Sequence, residues 1–313
     1  MRTHHQYKER NVKKLIQIII FLGGIFLSIF PINELFAHEE GAPFSGAIIE
    51  PLKVHHAHIE DEQKFNLFFR DGAPIEAEEP EEGSEEVEDK KTRRDILSHT
   101  YEMAWHYDDG FRWGSEVIIP FSNEGENDGH RVYGLGDIEF QPLKYAFVNK
   151  PETILTGMIA ITPPTGSRSR GFSEGKTGIA PHLFLDHAWR NWYLGSNQAI
   201  EIEIGHEHEI KYEYSAALAY SFIKGTGKRM ASVRPDQRLV PQISTEFLGE
   251  TTLNGTNSGK TEFSILPGIN FWNPKSGWAI RFGISFPLTE ERESNKTIYI
   301  QIGNHLDWTA WKK

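Results

Sequence analysis

The residues with the most evident chemistry are histidines and carboxylates. HHAH at 55–58 is followed by Glu60 and Asp61. In an extended chain His56, His58 and Glu60 fall on one face, and imidazole suits zinc, copper or nickel. His55, His56 and His58 are therefore the candidate metal ligands, with His206 and His208 as a second cluster. The plainer reading is a solvated polar tract, since imidazoles without a fixed surrounding shell seldom hold an ion. From Glu76 to Asp89 the sequence EAEEPEEGSEEVED concentrates like charge, which favours an extended solvent-exposed loop.

Catalytic patterns do not stand out. The sequence contains no GxSxG, no HExxH and no P-loop. Ser98, Ser215 and His182 could belong to a scattered hydrolase site, but their spacing picks out no nucleophile and base, so no enzyme is expected. The absence of cysteine removes disulfides, thiolate metal sites and a lipidated N-terminal cysteine. A net charge of −11 argues against binding nucleic acid. No cofactor is expected.

The N-terminus reads as an export signal. Arg2, Lys8, Arg10, Lys13 and Lys14 precede the apolar stretch Leu15–Phe30, and Ala37 is the small residue before HEEG. A retained anchor would need roughly 20 apolar residues; this run is shorter and is broken by Gly23 and Gly24. The expected organisation is a signal peptide over 1–37, a histidine-containing periplasmic segment over 38–62, and a barrel over 63–313 with an acidic loop at 73–91.

Past residue 62 the hydropathy alternates with period two, as a strand with one apolar face requires. In WAIRFGISFPLT at 278–289, Trp278, Ile280, Phe282, Ile284, Phe286 and Leu288 oppose Ala279, Arg281, Gly283, Ser285 and Thr289. The same pattern sets Tyr212, Tyr214, Leu218 and Tyr220 against Lys211, Glu213, Ser215 and Ser221. Counting such stretches predicts strands at 63–71, 95–107, 111–122, 135–148, 153–164, 177–189, 192–204, 210–223, 239–250, 261–273, 278–289 and 296–308. An even count of about twelve suits a bacterial transmembrane barrel. A mean hydropathy of −0.47 also fits, because only the outward half of each strand must be apolar.

Links alternate between long and short, as extracellular loops and periplasmic turns should. The long link at 224–238 breaks that order, and a miscount between 200 and 240 would account for it. A soluble barrel or β-sandwich also alternates; what separates the two is whether the charged face points in or out.

If the polar faces line a lumen, it holds Glu102, Glu116, Asp137, Glu139, Asp186, Glu201, Glu203, Glu213, Glu246 and Glu262 against Arg70, Arg112, Lys211 and Arg281. Ten acids to four bases suggests cation preference, unless the charges simply pair across strands and fill the interior.

Three stretches carry a family resemblance: GLGDIEFQPLKYAF at 134–147, TGMIAITPPTGS with GKTGIAPHLFLDHAW between 156 and 189, and LPGINFWNPKSGWAIRFGISFPLT at 266–289. They resemble the outer-membrane transporter family typified by the meta-pathway phenol-degradation protein (MetA). The resemblance implies an all-β, transmembrane antiparallel barrel of about 12 strands in the outer membrane. It further implies lipids as surroundings and passive diffusion of a small, often aromatic or hydrophobic solute. The chain departs from the family in ending TAWKK and in its histidine segment. That segment keeps a second expectation open: a plugged structural or metal-interacting barrel.

Overall fold

The computed structural model describes residues 51–74, 93–124, 126–127, 130–205, 208–223, 238–255, 257–273, 276–289 and 294–305. Contacts divide the chain into Met1–Gly41 and Ala42–Lys313, and every described residue lies in the second unit. The expected signal peptide, the acidic run and the TAWKK terminus lie outside the described residues.

Twelve long strands are described: β1 (Glu62–Pro74), β2 (Arg93–His106), β3 (Trp113–Ser122), β4 (Glu139–Lys150), β5 (Thr153–Thr162), β6 (Thr177–Trp189), β7 (Trp192–Ile204), β8 (Glu209–Ser221), β9 (Val240–Asn254), β10 (Thr261–Trp272), β11 (Trp278–Pro287) and β12 (Lys296–His305). Each pairs antiparallel with its sequence neighbours, and β1 pairs with β12 from Glu62↔His305 to Asp71↔Lys296, so the sheet closes. Strands of 10 to 15 residues are long enough to cross a bilayer when tilted. Each predicted strand overlaps one observed strand. The count between 200 and 240 needs no extra strand, because β7, β8 and β9 pair consecutively.

The faces are reversed relative to a soluble barrel. Along β11 exposure alternates without a break: Trp278, Ile280, Phe282, Ile284 and Phe286 point out, while Ala279, Arg281, Gly283 and Ser285 are buried. Phe282 is 41% exposed and Arg281 only 1%. Exposed Phe65, Phe69, Leu183, Leu194, Ile200, Ile202 and Ile243 extend the outward apolar surface round the wall. Trp113, Trp189, Trp192 and Trp278 are exposed at the end where β1 begins, placing amphipathic rings where hydrocarbon meets water. An apolar outside around a polar inside identifies a membrane-spanning barrel.

On the inner wall the register sets polar side chains side by side: Ser221↔Gln242, Gln242↔Asn270, Asn270↔Arg281, Arg281↔Gln301, Gln301↔Asn66 and Asn66↔Thr100. Hydrogen bonds join Asn270 to Gln242, Arg281 to Gln301, Gln301 to Asn66, and Asn66 to both Thr100 and Glu102. These bonds give each of these buried amides and the guanidinium at least one partner.

The end carrying Glu62 has the tight links 107–112, 151–152, 190–191 and 273–277; the other end carries 75–92, 123–138, 163–176 and 255–260. Two links depart from strict alternation, the short 205–208 and the long 222–239.

The inside-out surface predicts a sharp asymmetry on one strand. Phe282→Arg should lower folding stability in lipid vesicles by about 2–4 kcal/mol, the cost of a cation at the hydrocarbon midplane. Phe282→Leu should cost far less. Urea titration followed by the heat-modifiable gel shift measures both.

Candidate functional site

The lumen is crossed by the chain itself. Residues 51–61 run inside the barrel before β1 begins, and Leu52, Val54, Ala57 and Ile59 are buried. Val54 packs with Tyr193, Ala217, Ala219, Val240, Trp272 and Ala279 at the tight-turn end. Ala57 and Ile59 pack with Ala146, Ile154, Met158, Ala160 and Phe184 on β4 to β6. Leu52 joins Leu266 and Tyr299.

Glycine makes the seat possible. Gly268 and Gly283 are partners across β10 and β11, and a Cβ on Gly283 would stand 2.5 Å from Leu52 Cδ1. On β3 a Cβ at Gly114 would stand 2.7 Å from Ile59 Cγ2. The segment and the wall therefore approach where the sequence omits a side chain.

Two fully buried wall carboxylates hold the segment. Glu246 on β9 accepts three consecutive backbone N–H groups, from Leu52 (2.6 Å), Lys53 (2.9 Å) and Val54 (2.8 Å). Successive N–H groups converging in this way form an anion nest. Asp186 on β6 accepts Ala57 N–H at 2.8 Å through Oδ2 and the Tyr193 hydroxyl at 2.8 Å through Oδ1. Thr156 donates to the Ala57 carbonyl at 2.6 Å. Where the segment enters β1, Asp61 accepts His106 N–H at 2.9 Å and sits 2.7 Å from His106 Nδ1.

Other sequence candidates divide into groups. Glu102 and Glu116 turn inward near the crossing segment, the former bonded to Asn66. Glu139 accepts from Gln141. On β7 and β8, Glu203 pairs with Lys176 at 2.9 Å and Lys211 at 3.3 Å, below the long loops; Glu201 lies on the same face as Glu203, and Glu213 and Glu262 border a cavity. Arg281 bonds to Gln301, and Arg70 pairs with Glu124 at 2.9 Å. The hydrogen bonds that the Lys176 ammonium donates to Glu174 and then to Glu203 hold its pKa above the usual range.

Two candidates stand off the wall. Arg112 belongs to the β2–β3 turn rather than to a strand, because Asp108 Oδ1 caps the N–H groups of Arg112 and Trp113 at 2.9 and 2.8 Å. Asp137 precedes β4, where its Oδ1 accepts Gly166 N–H at 2.8 Å and joins two loops. Face counting passed over Lys64 and Lys144, both buried and inward. The outward neighbours Phe65 and Leu143 carried the signal for them.

The histidine tract splits. His55 faces a cavity beside His182, with ring centroids 6.1 Å apart. His56 and His58 point the other way, with centroids 5.2 Å apart. His58 Nε2 lies 3.5 Å from Asp186 Oδ2. His208 is exposed and His206 lies outside the described residues. His182 bonds with Asn197 at 3.2 Å, while Ser98 stands four strands away on β2 and Ser215 borders a cavity.

Beyond Lys53, toward the long loops, two cavities open. One of about 320 Å³ is lined by Lys53, His55, Glu213, Tyr214, Glu262 and Tyr299. The other, of about 400 Å³, is lined by Lys53, Phe68, Arg70, Phe121, Phe172 and Tyr299, among others.

Comparison with solved structures gives the fold a counterpart. The COG4313 outer membrane channel from Pseudomonas putida F1 aligns over 82% of this chain and 99% of its own, with 12% identity and a TM-score of 0.54. This chain shares that barrel fold. The NanC porin aligns over 78% of this chain and 99% of its own at 8% identity, with a TM-score of 0.48. The beta domain of the Bordetella autotransporter BrkA aligns over 79% and 100% at 8% identity, with a TM-score of 0.47. No protein-family model matches the sequence, and no curated protein does.

Removing the Glu246 carboxylate isolates its contribution. Glu246→Ala should speed amide hydrogen exchange at Leu52, Lys53 and Val54 at least tenfold, since a hydrogen bond to a charged group contributes about 1.5–3 kcal/mol. The heat-modifiable shift of the barrel should be unchanged.

Proposed function

We propose that the chain is a bacterial outer-membrane channel for passive diffusion of a small solute, with residues 51–61 forming its closed state. The observation that carries this reading is the polar lumen, spanned by a segment whose strongest anchors are hydrogen bonds to two wall carboxylates. Water can replace hydrogen bonds to carboxylates, and the apolar contacts of the segment are spread over three small patches, which supports a crossing that can be undone.

Selection in such a channel comes from width and lining charge, without cofactor or turnover. The proposed lining comprises Glu102, Glu116, Glu139, Asp186, Glu201, Glu203, Glu213, Glu246 and Arg281, with Asp137 at the loop end and Arg112 at the turn end. Withdrawing the segment removes Lys53 from the lumen and bares Glu246 and Asp186, which favours cations. Phe68, Phe172 and Tyr299 beside Lys53 and Arg70 support a solute with an aromatic or hydrophobic body, in keeping with the phenol-degradation family resemblance. Export would follow from cleavage of a signal peptide over residues 1–37.

The buried crossing also favours the second reading, a structural barrel that never opens. Planar-bilayer recording separates the two. The intact protein should show low or intermittent conductance, and a variant lacking residues 51–60 should show steady current with cation over anion permeability. A deletion variant that keeps its heat-modifiable shift yet passes no current would sink the channel reading.

A further inference from the structure

Beside the crossing segment lies a pocket of about 10 Å³, room for roughly one water or one ion, lined by His56, His58, Glu60, Glu62, Glu116 and Lys144, among others. His56, His58 and Asp186 each bring a ligand atom to within 4.8 Å of the other two; His56, Glu60 and Glu62 do the same. Two imidazoles and a carboxylate form a donor set for a borderline divalent ion, three protein ligands leaving a fourth position for water.

The charges around the pocket point the same way. Glu60, Glu62, Glu116 and Lys144 line the pocket; Asp186 Oδ2 lies 3.5 Å from His58 Nε2, and Lys64 Nζ 2.7 Å from Glu62. Carboxylates outnumber ammonium groups here, an excess that a dication offsets in a buried setting where charge must be compensated. Asp186 is already oriented by Tyr193 and Ala57 N–H, the outer support that metal-bound carboxylates need. Lys64 Nζ is 3.2 Å from His56 Nε2; when an ion takes that nitrogen, Lys64 retains Glu62.

We propose that His56 and His58 of the crossing segment and Asp186 of β6 bind one divalent transition-metal ion, with Zn²⁺ as the best-fitting probe. Two ligands belong to the segment and one to the wall, so the ion latches the segment across the lumen. That consequence for opening rests on the channel reading; the site itself does not.

Zn²⁺ titration calorimetry on the refolded full-length protein tests it. One ion per barrel is expected, with affinity lowered at least tenfold by Asp186→Asn and by His58→Ala, and unchanged by His208→Ala. Lys64→Met should tighten binding by removing a competing cation. In the wild type Zn²⁺ should slow amide exchange across residues 52–59. A loose histidine tract would ignore Asp186, so Asp186→Asn binding Zn²⁺ like the wild type, with its heat-modifiable shift intact, overturns the site. Binding is read without current. A barrel that takes Zn²⁺ but never conducts loses the channel reading and keeps the site, and a conducting barrel indifferent to Zn²⁺ does the reverse.

Discussion

A strand in hydrocarbon has no water to satisfy its N–H and C=O groups, so every strand needs a partner on both sides, and the last must pair with the first. In this chain that closing pair is β1 with β12, running in continuous register from Glu62↔His305 to Asp71↔Lys296. Closure puts one face of every strand toward lipid and the other toward a confined interior. The exposed Trp, Phe, Ile and Leu residues and the buried Arg281, Glu246, Asp186 and Gln242 are two consequences of that one requirement.

A confined polar interior creates its own demand. Amides that sit in register bond to one another around β8 to β2, but a fully buried carboxylate needs donors or countercharge that an amide row supplies only in part. Glu246 and Asp186 obtain them from the backbone of residues 52–57. The segment in turn, being neither helix nor strand, needs acceptors for its own N–H groups. Wall and segment thus solve each other's hydrogen-bonding problem, and only water could take over both roles, donating to the carboxylates and accepting from the backbone N–H groups.

Glycines at Gly114, Gly268 and Gly283 show how closely the two surfaces meet, and the apolar residues Leu52, Val54, Ala57 and Ile59 bury into three separate patches rather than one core. The crossing is therefore held at several small patches and not by a single packed core. Among the described residues, two cavities of about 320 and 400 Å³ border Lys53 on the loop side of the crossing.

Much of this was legible in the sequence, because side chains on a strand alternate faces whatever the surroundings. Alternation such as that of Trp278 to Phe286 located twelve strands, sorted most wall residues by face, and put His56 and His58 on one side with Glu60. It failed at Arg112, where the side chain of Asp108 holds the chain in a turn that hydropathy alternation does not register, and at Asp137, whose partner Gly166 lies 29 positions away. Which face is inside was not legible, for alternation is symmetric until closure assigns the concave side. Nor was the placement of residues 51–61 in the lumen: their partners, Asp186 and Glu246, stand 129 to 194 positions away, and only the closed barrel brings them together.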